Sequence, residues 1–254
     1  NPAFDATQLA AANIRIVAPG AKLIRPLACN AGLDAATGQW IGFLDEDDWL
    51  EPDHIARLVA ALSAPDAPLL AYSDMLAHEG GREVVSSTGY WKRQFAEHPV
   101  FWIVTALFSR RLVDEFGCRF DADFVLLEDW DFFVQCAEWT DCLHVPGVTA
   151  HYAASAGESG GGAGVNRDDA RLKPYIERMS AKWGMRYGSL IASADDALAQ
   201  AKTAMEQARW NEAESLLMRG LQADPGHPAL LNRLALCRRQ AGDWNYHWAG
   251  VVAR

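Results

Sequence analysis

Residues 40–48 read Trp-Ile-Gly-Phe-Leu-Asp-Glu-Asp-Asp, an almost wholly apolar run that ends in four consecutive acids. A short apolar run of this kind is typical of a strand buried on both faces, as in a parallel or mixed sheet. In an open α/β sheet, ligands bind at the carboxyl ends of the strands, which is where these acids would lie. The stretch therefore predicts both a sheet and a candidate site at one end of it.

The flanking sequence predicts alternating strands and helices. Pro52 suits the first turn of a helix, and Ile55, Leu58, Val59 and Leu62 form one apolar stripe at helical spacing. This alternation predicts an α/β domain with a mixed sheet flanked by helices. Further strands are predicted at residues 13–17, 69–74 and 148–152, and a further helix from residue 128.

After about residue 190 the sequence becomes alanine-rich and contains an internal repeat. Residues 208–211 (Ala-Arg-Trp-Asn) match residues 242–245 (Gly-Asp-Trp-Asn) at an offset of 34, with Pro225 between them. This period resembles the tetratricopeptide repeat, two antiparallel helices per unit. We predict a sheet domain over residues 1–187 and a small all-α, tetratricopeptide-like helical hairpin over residues 188–254. Because three units are usually needed for stability, this region is expected to dock on the first domain or to continue beyond Arg254.

The net charge of −10 comes from the first 187 residues, since residues 188–254 hold seven basic and seven acidic residues. An acidic surface argues against nucleic acid or an anionic membrane as the main partner. It is compatible with a site that gathers divalent cations.

The five cysteines are odd in number and have no Cys-x-x-Cys spacing, which indicates free thiols in a reducing compartment. No apolar run approaches the length needed to cross a bilayer, and the first residues do not form a signal peptide. These features predict a cytoplasmic location, and a peripheral position at the inner face of the membrane is included in this prediction. Because the chain begins with Asn1 and not with Met, we expect it to start partway through a longer protein.

The four acids have two physical interpretations. Adjacent carboxylates repel one another, so a bound Mg²⁺ or Mn²⁺ would stabilise them, and an Asp-x-Asp on an extended backbone places two carboxylates on one side. They could equally form a solvated acidic turn at the start of the next helix. Residues 155–164, rich in Gly and Ser, are likewise open to two interpretations, a plain linker or a mobile flap over a site.

Three ordered motifs resemble glycosyltransferase family 2, of the GT-A fold. The first spans residues 27–52, with Asn-x-Gly from Asn30, Ala-x-Gly, the apolar run, Asp-x-Asp-Asp and Pro52. The second is the strand at residues 70–74, and the third is the Glu-Asp motif within residues 127–132. The resemblance covers roughly residues 13–185 and implies a GT-A-like sheet that transfers sugar from a nucleotide diphosphate to a hydroxyl, with inversion.

The resemblance also implies residue roles. Asp47 would bind Mn²⁺ or Mg²⁺, and Asp45 would contact the metal shell or the nucleotide ribose, with Asp48 in support. Glu46 lies between them and is included among the donor-binding candidates. Asp129 matches the general base, with Glu128 beside it.

Other candidates carry a second interpretation. His151 could complete the metal shell or be an ordinary hydrogen-bonded histidine. Asn30 would contact the donor, and Arg25 could replace the arginine that the family often has where Cys29 stands here. Trp49 and Trp130, which adjoin the acids, are candidates for stacking on sugar rings.

The chain departs from the family at its start, where the two strands that would hold the nucleotide base are not apparent. A catalytically degenerate transferase-like scaffold, acting through its helical tail, is therefore the alternative. A different metal-dependent nucleotidyl or phosphoryl enzyme is a third possibility. The partners expected are a nucleotide-sugar donor (a UDP-sugar), a glycan, lipid-linked or protein acceptor, and a protein bound by the tail.

Overall fold

The structure, a computed structural model, describes residues 14–17, 20–87, 89, 99–154 and 168–240. The helices are α1 Arg25–Ala35, α2 His54–Leu62, α3 Arg111–Asp114, α4 Glu128–Ala137, α5 Asp169–Glu206, α6 Trp210–Ala223 and α7 Pro228–Gln240. The strands are β1 Trp40–Gly42, β2 Trp49–Leu50, β3 Leu70–Glu79, β4 Arg82–Ser86, β5 Ala106–Ser109 and β6 Cys142–Tyr152. Residues 155–164, interpreted above as a linker or a flap, and the second repeat copy at 242–245 both lie outside the described residues.

The strands form one mixed sheet in the order β1-β5-β3-β6-β2, with β4 paired to β3. Strands β3 and β6 run parallel, whereas the other pairs are antiparallel. Residues 43–48 carry the chain from β1 at one edge of this order to β2 at the other. The four predicted site acids therefore lie on the segment that crosses between the two edges.

The core of this domain lies between the sheet and α4, where Tyr72, Phe108, Phe132 and Phe133 are almost completely buried. Aromatic ring contacts connect strand to helix, with the Phe108 and Phe132 centroids 5.3 Å apart. The predicted class, an α/β mixed sheet flanked by helices and followed by an all-α region, is confirmed.

Three details of the strand predictions are wrong. Residues 14–17 have no regular secondary structure, although a strand was expected there. Only Ile41 of β1 is buried, and Leu44, which was expected in this strand, lies beyond its end and is 54% exposed. Strand β3 continues beyond Asp74, which lies at a register shift against β6.

Strand β3 can continue through Asp74 because the Asp74 carboxylate accepts hydrogen bonds from within the sheet. It accepts hydrogen bonds of 2.6 Å from the backbone N–H of Gly147 and of 2.6 Å from His144 Nε2. Burial acts to raise the pKa of Asp74, but these hydrogen bonds outweigh it and lower the pKa below its ordinary value. An acid in a strand is therefore tolerated where a local irregularity supplies donors.

Helix α5 belongs to two hydrophobic cores. Its first half contributes Met179 and Tyr187 to the core of the sheet domain, and its second half packs Ala201 against α6 and α7. At Gly220 of α6 the helices approach closely, since a Cβ there would lie 2.9 Å from a methyl of Leu230. The boundary predicted at residue 187 falls inside this continuous helix, and the tetratricopeptide likeness of the tail stays a prediction.

Candidate active site

The four acids at residues 45–48, here called the acidic turn, close a tight turn and do not continue an extended strand. The Asp48 N–H donates to the Asp45 carbonyl oxygen at 3.2 Å. Asp48 Oδ1 in turn accepts from the Ala153 N–H at 3.0 Å, which fixes the turn to the residues after β6. The extended backbone expected at the Asp-x-Asp is therefore wrong, because residues 45–48 form a turn.

The carboxylates of the acidic turn differ in how far they are engaged. Asp45 Oδ2 accepts from Arg25 Nη2 at 2.8 Å. Burial raises the pKa of Asp48 to about 6, with the charges of Asp47 and Asp45 adding to the effect. Glu46 is exposed and Asp47 is partly exposed, and neither carboxylate has a hydrogen bond or ion pair within the described part of the chain. Two carboxylates of the turn thus remain open to a ligand.

The second acidic segment is residues 128–131, here called the acidic helix start, at the first turn of α4. Leu127 before it adopts a left-handed conformation, with φ of 61°. Glu128 is buried and accepts from Arg25 Nε, whereas Asp129 Oδ1 accepts from the Trp130 N–H at 2.8 Å. Negative side chains at this end of a helix are favoured by the helix dipole.

Arg25, on the first turn of α1, connects the two acidic segments. It lies 20 residues before Asp45 and 103 residues before Glu128, and it hydrogen-bonds both carboxylates. Burial opposes the charged guanidinium, yet the hydrogen bond to Asp45 and the charge of Glu128 together raise the pKa of Arg25. Arg25 lies one helical turn before Cys29, and its guanidinium reaches both predicted motifs.

The carboxyls of Glu128 and Asp129 hold their protons more strongly than ordinary ones. Burial, with the neighbouring charge of Asp129, raises the pKa of Glu128 to about 7 although Arg25 opposes the shift. The pKa of Asp129 is also raised, mainly by burial. Burial likewise raises the pKa of the Cys29 thiol, which lies near the same charges, to about 11. Carboxyls with raised pKa values are suited to accepting a proton in catalysis.

Asn30 holds a loop in place. Its Nδ2 donates to the Phe120 carbonyl oxygen at 2.8 Å, and its Oδ1 accepts from the Phe120 N–H at 2.9 Å. Both polar atoms of the amide are therefore engaged by backbone on the segment that leads into α4. Its assignment to donor binding stays a prediction.

His151 lies on β6 in a group of stacked rings, and its partner in the strand pairing is Trp49 and not Asp47. Its Nε2 is 2.8 Å from Glu51 Oε1, and its Nδ1 is 3.1 Å from His78 Nε2. Both ring nitrogens thus have partners, as the hydrogen-bonded alternative expected. Among the residues the structure describes, no group of three or more His, Cys, Asp or Glu side chains is arranged to hold a metal ion by itself.

The two candidate tryptophans have different surroundings. Trp130 is only 4% exposed and belongs to the core, so its predicted stacking on a sugar is wrong. Trp49 is 45% exposed on β2 and remains available. All five cysteines are free thiols, as predicted.

One buried acid was missed by sequence reasoning. Asp131 is completely buried, with Oδ1 2.8 Å from Lys182 Nζ and accepting from Trp183 Nε1 at 2.8 Å. Gln135 Nε2 also donates to it, at 2.8 Å. These contacts fasten α5 to the acidic helix start. No sequence signal related them, because Lys182 lies 51 residues after Asp131.

The chain is similar to known proteins over part of its length. Residues 8–117, which contain the acidic turn, match the profile of the family described as Glycosyl transferase family 2. The chain is 29% identical over 167 residues to the uncharacterized glycosyltransferase YwdF of Bacillus subtilis, covering 62% of this chain and 60% of that protein. It is 30% identical over 171 residues to a PGL/p-HBAD biosynthesis glycosyltransferase of Mycobacterium bovis, covering 63% and 60%.

Among solved structures, S. aureus TarS 1-349 superposes with a TM-score of 0.42 at 12% identity, over 86% of this chain and 67% of that one. The chain spans about 60% of the length of the curated relatives it matches. Residues 8–117 are therefore similar to glycosyl transferase family 2, and both relatives are named as glycosyltransferases. No helix in the described part of the chain is both long and apolar enough to cross a membrane.

Proposed function

We propose that this chain forms part of the active site of an inverting glycosyltransferase that moves a sugar from a nucleotide diphosphate to an acceptor hydroxyl. The observation that carries the proposal is Arg25, which holds the acidic turn and the acidic helix start against each other through Asp45 and Glu128. The two motifs are thus close enough for one substrate pair to contact both. The match to glycosyl transferase family 2 supports the same reaction class.

The residues of the acidic turn fit a divalent cation. Mg²⁺ is usually held by one or two carboxylates together with substrate phosphates, so a site with few protein ligands is sufficient. The carboxylate of Asp47, which has no partner within the described residues, is the principal ligand proposed, and Asp45 Oδ1 is the second because Arg25 bonds Oδ2. Such a cation, Mn²⁺ or Mg²⁺, would neutralise the charge that develops on the diphosphate leaving group.

Asp129 is the proposed general base. Its Oδ1 is oriented by the Trp130 N–H, and its raised pKa favours taking a proton from the attacking hydroxyl. Glu128 would keep the guanidinium of Arg25 in place beside it. Glu46, which is exposed, and Asn30 remain proposed contacts to the donor.

The substrates follow from the same proposal. A UDP-sugar is the proposed donor, and a glycan, lipid-linked or protein hydroxyl is the proposed acceptor. The tail, α5 to α7, is proposed to be tetratricopeptide-like and to bind a protein. A cytoplasmic location, at the inner face of a membrane, would suit such substrates.

The test uses the longest natural protein that contains this chain, with UDP-sugars and Mn²⁺, and measures transfer to water or to added acceptors. Asp47→Asn and Asp129→Asn are each expected to lower the rate at least about a hundredfold, as removal of a general base or a metal ligand does. Glu177→Gln, which removes an exposed carboxyl on α5, is the matched control and should leave the rate unchanged. Equal rates in all four proteins would refute the proposal.

Titration calorimetry separates the enzyme from the scaffold alternative. Heat on adding UDP with Mn²⁺, lost in Asp47→Asn, supports the transferase. Absence of heat at millimolar UDP, with the protein folded, would favour a degenerate scaffold.

A further inference from the structure

Trp49 lies at the edge of the sheet beyond the acidic turn. It is in β2, the last strand of the order, and pairs with His151 of β6. At 45% exposure it leaves much of a large apolar ring in water.

Two imidazoles cover one face of the Trp49 indole. The ring centroid of Trp49 is 4.9 Å from that of His151, at an interplanar angle of 7°, and 4.7 Å from that of His78. The two imidazoles are themselves 5.4 Å apart. If they lay on opposite faces of the indole, their centroids would be nearly twice as far apart. Both therefore lie on one face, and within the described residues the other face has no ring partner.

The covered face is rigid. His151 is fixed by Glu51 at 2.8 Å on one nitrogen and by His78 at 3.1 Å on the other. The indole consequently rests on a layer that is hydrogen-bonded across β6 and β3. We call the four residues Trp49, His78, His151 and Glu51 the Trp49 platform. An aromatic side chain held in one orientation binds a ligand without losing further side-chain entropy.

We propose that the open face of the Trp49 platform binds a pyranose ring of the acceptor glycan. One face of a pyranose presents C–H groups, which are weakly positive and apolar, and they complement the negative face of an indole. The carboxylate of Glu51, 45% exposed at the rim, supplies an acceptor for the ring hydroxyls. This proposal rests on the proposed function, because that function makes a sugar the relevant ligand.

The position relative to the acids favours the acceptor over the donor sugar. A turn closed from residue 45 to residue 48 keeps those Cα atoms within about 7 Å, so the Trp49 Cα lies within about 11 Å of that of Asp45. Trp49 is on β2, an edge strand of the described sheet, whereas Arg25, which contacts Asp45, is on α1. An acceptor glycan can reach the acids from this edge and lay a ring on Trp49.

The experiment labels the whole protein with 5-fluorotryptophan and follows the Trp49 resonance by fluorine NMR during titration with methyl glucopyranosides and methyl mannopyranosides. Trp139 is the matched control, since it is 56% exposed and stacked on one ring, Phe116, near the start of β6. We expect saturable movement of the Trp49 signal and none of the Trp139 signal. Equal movement of both signals, or of neither, would overturn the proposal.

Variants complete the test. Trp49→Ala should weaken binding of the methyl glycoside at least about fivefold, Trp49→Phe should retain most of it, and Trp139→Ala should change nothing. Movement of the Trp49 signal by UDP-glucose but not by methyl glycosides would assign the ring to the donor and overturn the acceptor assignment. A change from dimer to monomer in Trp49→Ala, without loss of sugar binding, would overturn it in favour of a second copy of the chain.

These outcomes are distinguishable from failure of the proposed function. Glycoside binding requires neither metal nor turnover, so it can be lost in Trp49→Ala while hydrolysis of the donor persists. Conversely, donor hydrolysis that is unaffected by Asp47→Asn and Asp129→Asn would refute the proposed function. Binding of the methyl glycoside at Trp49 would still stand as a separate observation.

Discussion

The acidic turn at residues 45–48 and the acidic helix start at residues 128–131 are similar in composition but differ in burial. In the turn, Glu46 and Asp47 have no partner within the described residues. In the helix start, Glu128, Asp129 and Asp131 each accept a hydrogen bond from a defined donor. Burial of a charge is tolerated only when it is paired, whereas an exposed carboxylate can stay open for a ligand. The first segment therefore offers ligands, and the second offers a fixed geometry.

Of the substitutions that test this difference in burial, the largest loss of stability is expected at Asp131. Asp131→Ala should lower the free energy of unfolding by about 3 kcal/mol, because it leaves the donors of Trp183 and Gln135 without their acceptor. Urea denaturation measures it. Asp121→Ala removes the other, more exposed carboxylate bonded to Lys182 and should cost at most about 1 kcal/mol. Equal losses would show that burial does not set the difference.

Arg25 is expected to have the next largest effect. Arg25→Ala should cost about 2 kcal/mol of unfolding free energy, discounted for the partial exposure of Arg25, since buried Glu128 loses its charged partner. Circular dichroism during urea denaturation is the measurement.

A second variant makes this prediction specific to the position of the charge. Arg25→Ala combined with Cys29→Arg places the guanidinium one turn further along the same helix and should recover about half of the loss. Cys29→Ala combined with Arg25→Ala is the control and should recover none. Identical stability of the two double variants would contradict a charge-specific role for Arg25.

The pH dependence of stability should come more from Glu128 in the acidic helix start than from Asp48 in the acidic turn. The pKa of Glu128 is raised from 4.5 to about 7, so between those values the folded protein binds more protons than the unfolded one. The free energy of unfolding should therefore fall as pH rises through this window, by at most about 3 kcal/mol. Asp48, raised to about 6, contributes in the same direction.

Glu128→Gln should flatten much of this fall, measured by urea denaturation at pH 5 and pH 8. Glu177→Gln should leave it unchanged. An unaltered slope in Glu128→Gln would mean that another group carries the dependence.

The smallest effect on stability is expected at the open carboxylate of the turn. Asp47→Asn should change the free energy of unfolding by less than about 0.5 kcal/mol, because no partner is lost. The thermal midpoint provides the measurement. Addition of Mn²⁺ with UDP should raise the midpoint of the wild type and not that of Asp47→Asn. A large destabilisation without ligand would show that Asp47 has a structural role.

Local sequence predicted much of the fold because the apolar patterns of α2, β3 and α4 are strong. It failed where the deciding contact is distant in the chain. The backbone at 45–48 was expected to be extended, but it forms a turn whose Asp48 carboxylate is bonded to Ala153, a residue 105 positions later. Likewise, the burial of Trp130 follows from packing of α4 against the sheet, which adjacent acids in the sequence do not indicate.

The sequence by itself determined which chemical groups this protein brings to a site, since the acids, their order and their family motifs are local patterns. The tertiary structure decided which of these groups are free and which are paired. Arg25 reaches Asp45 and Glu128 only because α1, the acidic turn and α4 pack together. The open face of Trp49 likewise depends on His78 and His151 from two other strands. Burial and pairing are properties of contacts between distant segments, and those contacts exist only in the folded chain.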